Sequence, residues 1–68
     1  MSNEHYKQGN IECIDYIRDV LSPEEFQGFC RGNIIKYMHR LTTKDDPLKN
    51  AKKIEDYTQW LIESLTTN

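Results

Sequence analysis

Sixty-eight residues, 37% hydrophobic and 29% charged, make one small globular domain whose core must be thin, and they exclude a multidomain enzyme and a disordered chain alike. Nine Lys and Arg against eleven Asp and Glu leave a net charge of −2, which argues against general nucleic-acid binding. The chain contains no apolar run of signal-peptide or membrane-span length, so the cytoplasm is the expected location.

Residues 1–10, with His5-Tyr6-Lys7, read as an irregular N-terminal arm ahead of a single helical domain over 11–65. The first periodic run is Ile11, Ile14, Ile17, Val20 and Leu21, opposite Glu12, Asp15 and Asp19, and predicts an amphipathic helix. Ser22-Pro23-Glu24-Glu25 then starts a second helix: serine as N-cap, proline in the first turn, and Glu25 closing a capping box. Its apolar side is Phe26, Cys30, Ile34, Tyr37, Met38 and Leu41, and Gly28 and Gly32 weaken it by about 1 kcal/mol each relative to Ala, so a kink near Gly28 is expected. The run Thr42 to Pro47 is a connection ending in an Asp46 N-cap and Pro47. A third helix follows, with Leu48, Ala51, Ile54, Thr58, Leu61, Ile62 and Leu65 as its stripe and Tyr57 at the stripe's edge.

The expected fold is therefore all-α: a small three-helix domain assembled into an oligomer, because three short stripes give so little core. Cys13 and Cys30 both fall in apolar runs without CxxC spacing and are expected to be reduced and buried. Trp60 falls outside the third helix's stripe, where it serves either an interface or the docking of the N-terminal arm.

Charge is segregated by element. Arg31, Lys36, Arg40 and Lys44 lie in a stretch with no acidic residue, and Asn33, Lys36 and Arg40 fall within an arc of about 60° on the second helix. An ammonium, a guanidinium fork and an amide on one face suit phosphate oxygens or a carboxylate, although solvated basic faces are also common. Gly28 and Gly32 beside this face suggest close approach by another helix or a ligand. His5 and Tyr6 are candidates for closing over a bound nucleotide by stacking and phosphate contact. The three glycines at 9, 28 and 32 form no P-loop, and HExxH, GxSxG and clustered helix carboxylates are missing too, so no metal site is expected.

Several blocks together carry a family resemblance: His5-Tyr6-Lys7, Gly9-Asn10-Ile11-Glu12-Cys13-Ile14-Asp15, Glu25-Phe26-Gln27-Gly28-Phe29, and Arg31-Gly32-Asn33-Ile34-Ile35-Lys36-Tyr37 with Arg40. Over about residues 5 to 62 the chain resembles a family of small tailed-phage proteins, mostly of unknown function, which includes the phage nucleotide kinase that lacks a P-loop. The resemblance implies an all-helical phage protein acting on a nucleotide or nucleotide-like anion, with Asn33, Lys36, Tyr37 and Arg40 in the family's strongest block. If a kinase, it would use Mg2+; no other cofactor is expected. After Arg40 the chain departs from the family's glycine and basic residues with Leu41-Thr42-Thr43. Two further readings stand beside a nucleotide-binding protein. One is a non-catalytic effector that binds a host protein or sequesters a nucleotide signal, and the other is a purely structural helical oligomer.

Overall fold

A computed structural model of the chain describes residues 10–43 and 46–67, with side chains from 13 to 43 and from 46 to 66. His5, Tyr6 and the expected N-terminal arm lie outside the described residues. Three helices follow in order: α1 (Asn10–Val20), α2 (Pro23–Thr43) and α3 (Pro47–Thr67). The all-α expectation holds, and α2 runs through Gly28 without a break.

Both long helices begin where local chemistry satisfies their first backbone N–H groups. The Ser22 Oγ accepts from the Glu25 N–H at 3.1 Å while the Ser22 N–H donates to Glu25 Oε1 at 2.9 Å, so the capping box closes in both directions. Leu21 just before the cap and Phe26 four residues after it share one apolar cluster, the arrangement of a hydrophobic staple. At α3, Asp46 Oδ1 accepts from the Lys49 N–H at 3.1 Å, and the Asp46 carbonyl takes both the backbone and side-chain N–H of Asn50 at 3.2 Å. These two bonds supply the buried Asn50 amide with an acceptor. Asp46 holds a φ of 106°, a conformation that aspartate tolerates better than most residues and that turns the chain between the two helices.

α2 and α3 pack along each other as a helical hairpin, and the shorter α1 lies across one end of it against α2. The fully buried apolar residues are Ile14, Phe26 and Cys30, with Ile17, Leu21, Phe29, Tyr57, Trp60 and Leu61 packed around them. Arg18 ties α1 to α3: its guanidinium lies 5.0 Å from the Phe26 ring centre and 3.2 Å from Glu63 Oε1. Gln27 Nε2 donates to Ser64 Oγ at 3.1 Å and joins the hairpin at the same end.

Three expectations need correction. Met38, placed by periodicity on the core side of α2, is exposed, as are Leu48, Ile62 and Leu65 on α3 and Val20 on α1. The apolar stripes are wider than one eleven-residue helix can cover, so a whole side of the hairpin stays open. Cys13 is also exposed, because the buried edge of α1 runs through Ile14 and Ile17 and Cys13 falls beside it. Finally, a methyl group built at Gly28 or Gly32 meets nothing within 4 Å, so no close approach by a described residue explains either glycine.

Two measurements follow from these positions. Cys30 is enclosed, and burial pushes its thiol above the usual range, with the Arg18 charge opposing that rise only in part. A thiol reagent is expected to label one cysteine per native chain, Cys13, and both after denaturation; labelling of Cys30 in the native protein would contradict this packing. Gly32→Ala adds a methyl into open space on a helix, and denaturant unfolding should show it more stable by about 0.5–1 kcal/mol.

Candidate functional site

Four α2 residues at i, i+3, i+4 and i+7, Asn33, Lys36, Tyr37 and Arg40, rise on one side of the helix because that spacing follows its turn. Tyr37 is half-buried and its ring stacks on Tyr57 of α3, with centroids 6.0 Å apart and planes 22° from parallel. Lys36 and Arg40 are exposed, yet both lean onto this ring. The ammonium lies 4.7 Å from the Tyr37 centroid and the Arg40 guanidinium carbon 5.6 Å. Neither makes an ion pair with a described residue. Two like charges at i and i+4 repel by a few tenths of a kcal/mol, and contact with the ring's negative face, about 0.5–1 kcal/mol per cation at an exposed site, offsets that. An anion resting between them would relieve the same repulsion more fully.

The aromatic surface continues from Tyr37 inward. Tyr57 meets Phe29 edge-on at 5.8 Å and Trp60 edge-on at 5.2 Å, and Phe29 stacks on Phe26 at 5.8 Å. Five of the seven aromatic residues thus form one connected cluster, running from the exposed cations to the buried core. Asn33 sits between Phe29 and Tyr37 along α2, and one of its amide N–H groups donates to the Phe29 carbonyl at 2.9 Å. Burial above all, then the neighbouring Tyr37, Cys30, Cys13 and Asp56, pushes the Tyr57 hydroxyl above its ordinary value. It therefore keeps its proton at neutral pH and remains a hydrogen-bond donor.

Of the four α2 residues expected from the sequence, Lys36 and Arg40 each lie over the Tyr37 ring and Asn33 stands one turn away, bonded to the Phe29 carbonyl. Trp60, expected off the apolar stripe, is half-buried and packs against the Ile14–Phe26–Cys30 cluster, to which α1 contributes Ile14. Sequence reasoning missed Tyr57 and Phe29. Tyr57 stood at the edge of its stripe three residues before Trp60, a spacing that puts two aromatic rings on neighbouring turns.

Chemically, the arrangement offers half-exposed tyrosine rings beside two exposed cations, a combination suited to stacking a base and holding phosphate. Among the described residues, no group of three or more His, Cys, Asp or Glu side chains is gathered where it could hold a metal ion.

Comparison with known proteins adds the kinship. The family described as a protein of unknown function (DUF3310) matches residues 1–59. The Gene 1.7 protein of Enterobacteria phage T3 is 38% identical over 55 residues, a stretch covering 72% of this chain and 34% of that protein. The chain thus spans about a third of the length of this phage relative. No solved structure matches it. With the family match covering most of the sequence and a phage protein as relative, the chain belongs to the DUF3310 family and is a phage-type protein of unknown function.

Proposed function

We propose that the face formed by Tyr37 and Tyr57 binds a nucleotide or another phosphorylated small molecule, the rings taking the base and Lys36 and Arg40 the phosphate. The observation that carries this reading is the placing of both cations over one half-buried tyrosine ring that is itself stacked on a second. Charge-assisted hydrogen bonds to phosphate contribute about 1.5–3 kcal/mol each, and stacking on an aromatic side chain about 1–3 kcal/mol per base. Asn33 is placed to select among bases or sugars through the amide positions that its bond to Phe29 leaves over.

Binding is what the contacts of these residues support. Phosphoryl transfer would in addition need neutralisation of the transferring group, ordinarily by Mg2+ on one or two carboxylates and the substrate's own phosphates. Kinase activity remains a proposal from family resemblance, and sequestration of a nucleotide signal within the infected cell uses the same face without turnover. None of the described helices is long and apolar enough to cross a membrane.

A thermal-shift panel of nucleoside mono-, di- and triphosphates and cyclic nucleotides tests the reading, with inorganic phosphate and an unphosphorylated nucleoside as controls. The expected result is stabilisation only where base and phosphate are joined, about 2.7 kcal/mol at a hundredfold excess over Kd. Equal shifts with inorganic phosphate alone would reduce the face to a general anion patch, and no shift with any ligand would reject it. Recovery of the bound nucleotide unchanged would support sequestration over catalysis.

A further inference from the structure

On the side of the α2/α3 hairpin away from α1, a groove of about 430 Å³ is lined by Glu24, Gln27, Gly28, Arg31, Ile34 and Ile35 of α2 with Leu61 of α3. Ile35, 58% exposed, lines it, and the exposed Met38 and Leu65 stand one helical turn beyond the lining residues Ile34 and Leu61. Scattered apolar residues are normal on a protein surface, but a groove between two helices with Ile34, Ile35 and Leu61 in its lining is a place for a partner to bury them.

We infer that this groove face is the contact surface for a second copy of the chain, packed about a two-fold axis that crosses α2 beside Gly28. Charge names the occupant. Glu24 and Arg31 both stand on the groove, seven residues and so about two helical turns apart, roughly 10 Å along the axis. A surface with an acid at one end and a base at the other, equidistant from a midpoint, is complementary to itself under a two-fold rotation. With α2 antiparallel to its copy, each Glu24 meets the partner's Arg31, and the pairing occurs twice. The midpoint falls between Gln27 and Gly28, where the missing side chain makes the helix surface lowest and a methyl group would stand in open space. A partner helix can therefore approach closely at the one place where the symmetry requires it. Pairing 24 with 31 sets 35 opposite 20, so the exposed Ile35 of each chain falls toward the partner's exposed Val20, and the groove side of the hairpin gains a cover. The inference is independent of the nucleotide reading, since the Tyr37–Tyr57 face lies across the hairpin and stays open in the dimer.

Analytical ultracentrifugation of the whole chain over a concentration series at low and high salt tests this, with circular dichroism melts to confirm folding. The wild type should sediment with the mass of two chains at tens of micromolar. Glu24→Arg alone and Arg31→Glu alone should each raise the dissociation constant by about tenfold or more, because each places like charges opposite one another. The double exchange, Glu24→Arg with Arg31→Glu, should restore it to within about threefold of the wild type, because the pairing is re-formed with reversed polarity. Glu24, Arg31 and Ile35 are all exposed, and Ile35→Asp supplies a folded variant in which the apolar flank alone is broken. A wild type that stays monomeric throughout the series overturns the proposal. So does a dimer indifferent to both single reversals and to Ile35→Asp, or a double exchange no tighter than the single ones.

Discussion

Phe26→Ala is expected to leave much of the protein unfolded at room temperature. Phe26 is 1% exposed, and its ring is where the three helices meet: Ile14 of α1, Cys30 and Phe29 of α2 and the Arg18 guanidinium all lie against it or share its cluster. Truncating a buried phenylalanine costs about 3–5 kcal/mol, part from lost transfer energy and part from the cavity left behind. A 68-residue domain has only about 3–10 kcal/mol of stability in total, at the usual 0.05–0.15 per residue. The truncation therefore removes a large part of it, and a melt followed by circular dichroism should shift down by tens of degrees, given about 4–8 °C per kcal/mol for small domains. A variant that melts within a few degrees of the wild type would mean that the Ile14–Phe26–Cys30 cluster does not hold the helices together. Met38→Ala on the same helix is the control and should change stability by no more than about 0.5 kcal/mol, because Met38 is exposed.

The contrast between Phe26 and Met38 shows what the sequence can carry. Signals decided within a few residues were legible: the reciprocal bonds of Ser22 and Glu25, the Asp46 cap with Pro47 behind it, and the three helices themselves. Periodicity also tells which side of each helix is apolar. It does not tell which of several apolar rows will find a cover, because that depends on where α1 crosses the hairpin. α1 covers the side that carries Trp60 and Glu63, so Trp60 is half-buried while Met38, Ile62 and Leu65 are exposed. The candidate site divides along the same line. Asn33, Lys36, Tyr37 and Arg40 share one helix, and their spacing alone brings them together. Tyr57 and Phe29 join them only through the register of α3 against α2, which no spacing along the chain encodes.

Lys36→Ala combined with Arg40→Ala is expected to abolish most nucleotide affinity while the fold persists. Each truncation removes an exposed cation from the Tyr37 ring, a contribution to stability of about 0.5–1 kcal/mol, and each also relieves the repulsion between the pair. Neither opens a cavity, since both side chains are exposed. The binding side is far more sensitive: losing a charged contact to phosphate costs about 1.5–3 kcal/mol, so each change should weaken binding by about 10- to 150-fold at 1.36 kcal/mol per factor of ten. The two effects need not add, because both cations address one anion. Phe26→Ala and this pair therefore separate the core from the site: one collapses stability, the other spares it.

Trp60 provides the most direct readout. It is the single tryptophan of the chain and lies edge-on to Tyr57 at 5.2 Å, so a base stacking against the Tyr37–Tyr57 face changes the surroundings of its indole. The decisive measurement is a tryptophan fluorescence titration with the nucleotide that most raises the melting temperature, run on the wild type and on the Lys36→Ala, Arg40→Ala variant. A saturable change in the wild type that needs at least about tenfold more nucleotide in the variant, with both proteins folded, is the predicted result. A flat titration in the wild type, or the same midpoint in both proteins, would contradict the assignment of this face as a nucleotide site.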